Sequence, residues 1–437
     1  MNINGFDAAA DALAQAVQAQ RLAQRLRGLA AHGGVPTGGV ARQALTHDEL
    51  AARRWLAQDF AARPGYRVGI DAAANVYVRR CGVDAGAAPV MTGSHVDTQP
   101  LGGWLDGAFG VVAGLEVFDA LDSLGVATRR PLDVVMWTNE EGSRFAPGLM
   151  GAVSFTAPQR LADFLPVADS AGVAFETARD QAVTDFETHA QRHGWSWMDR
   201  PLGAPVHAYV EAHIEQGPVL EAQGLQVGCV TAIQGVRWYR VSVSGRSAHA
   251  GTTPLANRDD AQAKAIAMAH AVLGHARDCG DERLRVTIGR WECLPGSINT
   301  IADHVSFTVD ARHPDAEALD AVRAVMDAAL PDGARIEVLQ DKPTVQFAPD
   351  LVALATAGCE ALGMRHRQML SGAFHDAMPM AGFCPTAMLF APSIAGVSHH
   401  PAEDTPIEDL AACTQVLAWC LLKLAEPAPA VGPGQPI

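Results

Sequence analysis

The sequence predicts an α/β protein of two domains, one inserted into the other. Three observations carry that reading. The chain has 437 residues, beyond the ~250–300 at which a single core stops growing. Short apolar runs alternate with helical periodicity between Val76 and about Tyr209. A separate rhythm of strands and helices occupies the stretch from about Ile233 to Val345.

In the first stretch "NVYVRR" and "APVMTGS" are apolar and too short for helices, so they read as strands. "DGAFGVVAGLEVFDALDSL" then sets Val111, Leu115, Phe118 and Leu121 at helical steps, and "RPLDVVMWTNEE" returns to a strand. Strand, helix, strand is the α/β pattern. In the second stretch "RWYRVSVSG", "RDDAQAKAIAMAHAVLGHARD", "RLRVTIGRW", "HVSFTVDAR", "DAEALDAVRAVMDAAL" and "ARIEVLQ" read in turn as β, α, β, β, α, β. This split βαβ unit closes a four-stranded sheet under two helices and can fold as an insert. Mixed structure resumes near Gln346 and ends with the apolar helix "DLAACTQVLAWCLLKLAE". The expected domains are therefore residues 1–232 with 346–437, and residues 233–345. "MNINGFDAAADALAQAVQAQ" reads as a weak alanine-rich helix, and "EPAPAVGPGQPI", rich in Pro and Gly, as a loose tail.

Composition narrows the function classes. Lys and Arg number 33 against 48 Asp and Glu, giving 33 − 48 = −15. With no basic run, a nucleic-acid partner is not expected. No apolar segment reaches the ~20 residues of a membrane helix, so no membrane partner is expected either. The N-terminus lacks the basic start, apolar centre and cleavage site of a signal peptide. Eight cysteines occur with no CxxC spacing, which suggests neither a zinc ribbon nor a disulfide framework and fits a cytoplasmic location.

Chemistry collects where apolar runs end. "GSHVDT" carries His95 and Asp97, "GGWLDG" Asp106, "TNEEG" Glu140 and Glu141, "EAHIEQG" His213 and Glu215, and "GVSHHPAE" His399, His400 and Glu403. Each is ordinary alone: a strand-end histidine, a solvated Glu pair or a turn aspartate needs no ligand. Together, at the carboxyl ends of strands where α/β sheets bind ligands, they form an N/O donor set. Such a set suits zinc, manganese, cobalt or nickel, and its carboxylates allow a bridged pair of ions. Adjacent buried glutamates repel, and a cation pair resolves that conflict. One glutamate becomes a ligand while its neighbour stays free as a general base. Asp97, two residues beyond His95, is expected to accept from the other nitrogen of that imidazole.

The motifs "GSHVDTQPLGGWLDGAFGVVAGLE", "TNEEGSRF", "HIEQGPVLE", "SAHAGTTP", "PGSINTIAD", "SGAFHDAM" and "SHHPAEDTP" run in order along nearly the whole chain. Together they resemble the hydantoinase/carbamoylase branch of the di-metal amidases, relatives of aminoacylases and carboxypeptidase-type peptidases. The resemblance implies a mixed-sheet, peptidase-like catalytic domain with an inserted lid that also makes a homodimer. It implies two divalent ions per subunit held by His95, Asp106, Glu141, His213 and His399, with Asp106 as the bridge. Glu140 matches the general base, and His249 a histidine that steadies the oxyanion across the dimer. Asn299 and Arg312 match residues that hold the substrate carboxylate, and Gln216 a donor to the ureido group.

The reaction so implied is hydrolysis of the N-carbamoyl group of an N-carbamoyl-L-amino acid to amino acid, carbon dioxide and ammonia. Allantoate amidohydrolase and β-ureidopropionase share that chemistry, while an aminoacylase or metallopeptidase, or a non-catalytic metal-binding scaffold, lies further off. Trp238 stands where allantoate-hydrolysing relatives tend to carry arginine, which favours the carbamoyl amino acid. Phe374 replaces a glycine usual in the family and reshapes the wall near His375 and Asp376.

Overall fold

The computed structural model describes residues 3–428. Residues 429–437, most of the segment expected to be loose, lie outside them. The chain divides into two compact units, one running through Thr231 and resuming at Phe347, the other spanning Ala232–Gln346.

The first unit is built on a mixed sheet. Its strands run in the order Tyr66–Ile70, Val76–Arg80, Leu132–Trp137, Val90–His95, Ala208–Ile214, Thr386–Ala391 and Val227–Ile233, with His366–Ser371 paired to the last. The central strands Leu132–Trp137, Val90–His95, Ala208–Ile214 and Thr386–Ala391 are mutually parallel. They are also buried at every position. Burial on both faces explains why they read as continuous apolar runs rather than as alternating ones. Parallel pairing sends their carboxyl ends to one edge.

Helices cover the sheet. Ala108–Leu124 and Ile407–Ala425 contribute Val111, Leu115, Phe118, Leu121, Val416, Leu417 and Leu421 to one continuous core. The N-terminal helix Ile3–Gln15 buries Ala10 and Leu13 in the same core, and Asp11 Oδ1 accepts from Trp419 Nε1 at 3.0 Å. An alanine-rich helix is marginal alone, and this docking holds it. Two acids of helix Ala108–Leu124, Glu116 and Asp119, are also buried. Arg21 forks onto Glu116 at 2.6 and 2.7 Å, and Arg25 and Arg63 meet Asp119 at 2.8 and 2.7 Å, which offsets their desolvation.

The second unit shows the βαββαβ order. Strands Gly235–Ser244, Arg285–Leu294, His304–His313 and Arg335–Lys342 alternate with helices Ala261–Asp278 and Ala316–Ala328. The antiparallel sheet places Gly235–Ser244 between Arg335–Lys342 and His304–His313, with Arg285–Leu294 at the far edge. Val241, Val243, Val305, Phe307 and Val309 face Met268, Val272, Leu319 and Val322 of the helices. Strand His304–His313 alternates half-buried and buried positions throughout, as a sheet covered on one face must.

Candidate metal centre

The edge formed by the parallel strands gathers the histidines and acids. His95 is the last residue of its strand, His213 lies one residue from the end of Ala208–Ile214, and Glu140 and Glu141 follow Trp137. Asp106 sits in the turn before helix Ala108–Leu124, and His399 in the loop after Thr386–Ala391. Asp106 stands between two donor groups. Its Oδ1 lies 3.1 Å from His213 Nε2 and 3.8 Å from His95 Nε2. Its Oδ2 lies 3.1 Å from His399 Nε2, which is 3.4 Å from Glu141 Oε2.

Those separations decide what the groups can hold. Ligands about 2.0–2.1 Å from a tetrahedral zinc lie roughly 3.3–3.4 Å from one another. The measured spacings bracket that edge, and each trio, His95 with Asp106 and His213 or Asp106 with Glu141 and His399, lies within 4.8 Å internally. Two trios, each able to hold a cation, share the Asp106 carboxylate. A third grouping, Glu211 with His213 and His375, is also close. Glu211 is committed, however: it accepts from Ser94 Oγ at 2.7 Å, Tyr209 Oη at 3.1 Å and the Ala377 amide at 2.8 Å.

Orientation of the imidazoles supports the same reading. His95 Nδ1 lies 2.9 Å from the Asp97 carbonyl oxygen, and His213 Nδ1 2.8 Å from that of Ile214. Each Nδ1 therefore carries a proton, and each Nε2 is the nitrogen that faces Asp106. Asp97 meets His95 through its backbone. Its carbonyl meets His95, whereas its carboxylate, 3.7 Å from Nδ1, accepts the amides of Glu140 and Glu141 at 3.3 Å each. Asp97 thus orients the glutamate pair as well as the histidine.

The turn that presents the two glutamates is tightly held. Asn139 adopts φ +55°, and its Nδ2 donates to the Phe145 carbonyl at 2.7 Å. The Leu149 amide donates to the Glu140 carbonyl at 2.9 Å. Glu141 Oε2 accepts from Gln99 Nε2 at 2.6 Å. Glu140 points elsewhere: its Oε2 lies 3.5 Å from His95 Nε2. One glutamate therefore belongs to a trio and the other stands beside it.

Electrostatics show what the pocket lacks. Asp97, Asp106 and Glu403 are buried, and Glu140 is half-buried beside them. Burial, then repulsion from Asp376, Glu141 and Asp106, holds the Glu140 carboxyl well above its usual range. Burial and then Asp106 push Glu141 up to about 8. Burial pulls His95 down to about 4, the neutral form a metal requires. Burial also opposes charge on His213, but the Asp106 carboxylate wins and raises it to about 9. Acids and imidazoles thus compete for protons around Asp106, a deficit of positive charge that divalent cations fill.

Gln216 joins this cluster. Its Nε2 donates to Asp106 Oδ2 at 3.0 Å, and its buried Oε1 has no partner. The remaining predicted residues lie in the second unit. His249 is exposed on the short strand Ala248–His249, and its Nδ1 accepts the amides of Gly251 and Thr252 at 3.0 and 3.2 Å, which leaves Nε2 as the N–H donor. Asn299 Oδ1 accepts from Ser297 Oγ at 3.0 Å. Arg312 Nη2 meets Asp310 Oδ2 at 2.9 Å.

Comparison with known proteins identifies the family. The profile of Peptidase family M20/M25/M40 matches residues 91–423. An N-carbamoyl-L-amino-acid amidohydrolase of Rhizobium meliloti is 37% identical over 94% of this chain and 97% of its own. Allantoate amidohydrolase of Escherichia coli K12 is 35% identical, over 93% and 98%. A solved hydantoinase/carbamoylase family amidase from Burkholderia ambifaria superposes with a TM-score of 0.85 at 39% identity, covering 95% of this chain and 99% of that one. With a shared fold over 95% of its length and the profile spanning all five metal-type residues, the chain belongs to peptidase family M20/M25/M40.

Proposed function

We propose that the protein hydrolyses the ureido C–N bond of N-carbamoyl-L-amino acids, R–NH–CO–NH2, with two divalent ions, zinc or else manganese, cobalt or nickel. The observation that carries this reading is Asp106 between two donor trios with an uncommitted carboxylate, Glu140, beside them. Bound cations supply a Lewis acid and make water a nucleophile near neutral pH.

His95 and His213 would offer Nε2 to one ion and Glu141 and His399 would hold the other, with the Asp106 carboxylate available to both. Glu140 takes a proton from the attacking water and passes it to the departing nitrogen. One water added to R–NH–CO–NH2 gives R–NH2, carbon dioxide and ammonia, so atoms balance. Gln216 is assigned to the ureido group. We assign His249 Nε2–H to the developing oxyanion, and Asn299 and Arg312 to the substrate carboxylate, an arginine fork matching two oxygens.

The curated relatives act on small ureido compounds by name, which supports that substrate class. A homodimer through residues 233–345, the proposed lid, and a cytoplasmic location complete the proposal. The latter is supported by eight free cysteines, and no helix among the described residues is long and apolar enough to cross a membrane.

The test is ammonia release by metal-stripped, reloaded enzyme from N-carbamoyl-L-amino acids, N-carbamoyl-β-alanine, allantoate and an N-acetyl-amino acid. Ammonia from the first compounds and not from allantoate is expected. Ammonia from allantoate alone would replace the substrate. Release of acetate from the N-acetyl compound, with no ammonia from any other, would replace the reaction.

A further inference from the structure

We infer that Glu403 is a positioning residue for one of the two cation positions, the one made by Glu141, His399 and Asp106 Oδ2. The inference rests on the two-ion reading above. Glu403 is 1% exposed, and its Oε1 accepts the amides of Leu105 and Asp106 at 2.9 and 3.0 Å. Its Oε2 accepts from Ser398 Oγ at 2.8 Å, and its carbonyl accepts from Trp104 Nε1 at 3.0 Å. One carboxylate thus ties the turn presenting Asp106 to the residue before His399, although nearly the whole catalytic unit separates them in sequence. Gly103 leaves the room: a Cβ there would fall 2.0 Å from Glu403 Oε1.

The two cation positions depend on this tie unequally. His95 and His213 stand at strand ends with Nδ1 fixed by backbone carbonyls. His399 stands in a loop at φ +54°, half exposed. A side chain other than glycine adopts that φ only where its surroundings hold it. The tether is the Ser398 hydroxyl, which bonds Glu403 and also lies 3.4 Å from Asp106 Oδ2. Removing Glu403 frees the loop and loosens Asp106 on its Oδ2 side, while the strand-end histidines keep their geometry.

The experiment counts zinc per subunit after chelator stripping, reloading and gel filtration, and measures the affinity of each ion by competition with a chromophoric chelator. Wild type is expected to hold two ions. Glu403→Ala should hold one tightly and bind the second about 10- to 100-fold more weakly, the usual range for losing an outer partner of a metal ligand. Glu403→Gln should restore both, since its carbonyl accepts the two amides and its NH2 reaches Ser398 Oγ. Ser398→Ala, a small change in the loop, should weaken the same ion and serves if Glu403→Ala does not fold. Two ions of wild-type affinity in Glu403→Ala and Ser398→Ala, or equal weakening of both ions, would overturn the inference. A single ion in wild type would instead refute the two-ion reading beneath it.

Discussion

Gly107→Ala tests the centre with the smallest possible change. Gly107 has φ +64° and ψ −47°. A Cβ built there would lie 2.4 Å from both Cδ2 and Nε2 of His95. Ordinary contact begins near 3.4 Å, so the ring must retreat by about 1 Å or the turn must open. The positive φ adds roughly 1–2 kcal/mol for any L side chain. A zinc–nitrogen bond tolerates about 0.2 Å around 2.0–2.1 Å, so a displacement of 1 Å removes His95 as a ligand. Metal content should fall from two ions to one, and kcat/KM for ammonia release by about 10²-fold or more. Zinc quantification beside a steady-state ammonia assay reads both. Full metal content with wild-type activity would refute the placement of His95 Nε2 in the centre.

Three further outcomes follow from the same geometry. Glu140→Gln keeps size and shape but cannot take a proton; kcat should fall about 10²- to 10⁴-fold with metal content unchanged, and near-normal turnover would remove Glu140 as the base. His249→Ala should lower kcat by about 10²-fold or more at constant metal content, as loss of an oxyanion donor does; an effect on KM alone would move it to substrate binding. Arg53→Met should destabilise the fold by about 3–5 kcal/mol, because it strands the buried Glu49 it pairs with. A thermal melt checks this, and the double change Arg53→Met with Glu49→Leu should recover much of the loss.

The sequence displayed the central strands because burial on both faces makes them continuous apolar runs, and their ends mark where ligands lie. It displayed helix Ala108–Leu124 through Val111, Leu115, Phe118 and Leu121. Strand Tyr66–Ile70 and helix Phe175–Arg192 went unmarked: the first is short, and the second buries only Phe175, Ala178, Ala182, Phe186 and Ala190. Glu49 and Arg53, four apart on helix His47–Ala61, look like an exposed pair, yet they are 0% and 1% exposed. Arg53 also donates to the Ala74 carbonyl at 2.7 Å and the Trp137 carbonyl at 3.2 Å.

The supports of the centre were the least legible part. Gln99 on Glu141, Gln216 on Asp106 and Glu403 on the Asp106 amide each depend on loops from distant parts of the chain meeting. Asp97 was visible as a partner of His95, but whether its carboxylate or its carbonyl meets the ring depends on a backbone orientation that spacing does not encode.

The most direct test of the account is anomalous diffraction from crystals of the stripped protein reloaded with zinc or manganese. The account predicts two peaks on either side of Asp106, one within bonding distance of His95 and His213, the other of Glu141 and His399, with Glu140 bound to neither. A single peak, or Glu140 among the ligands with Glu141 free, would contradict it.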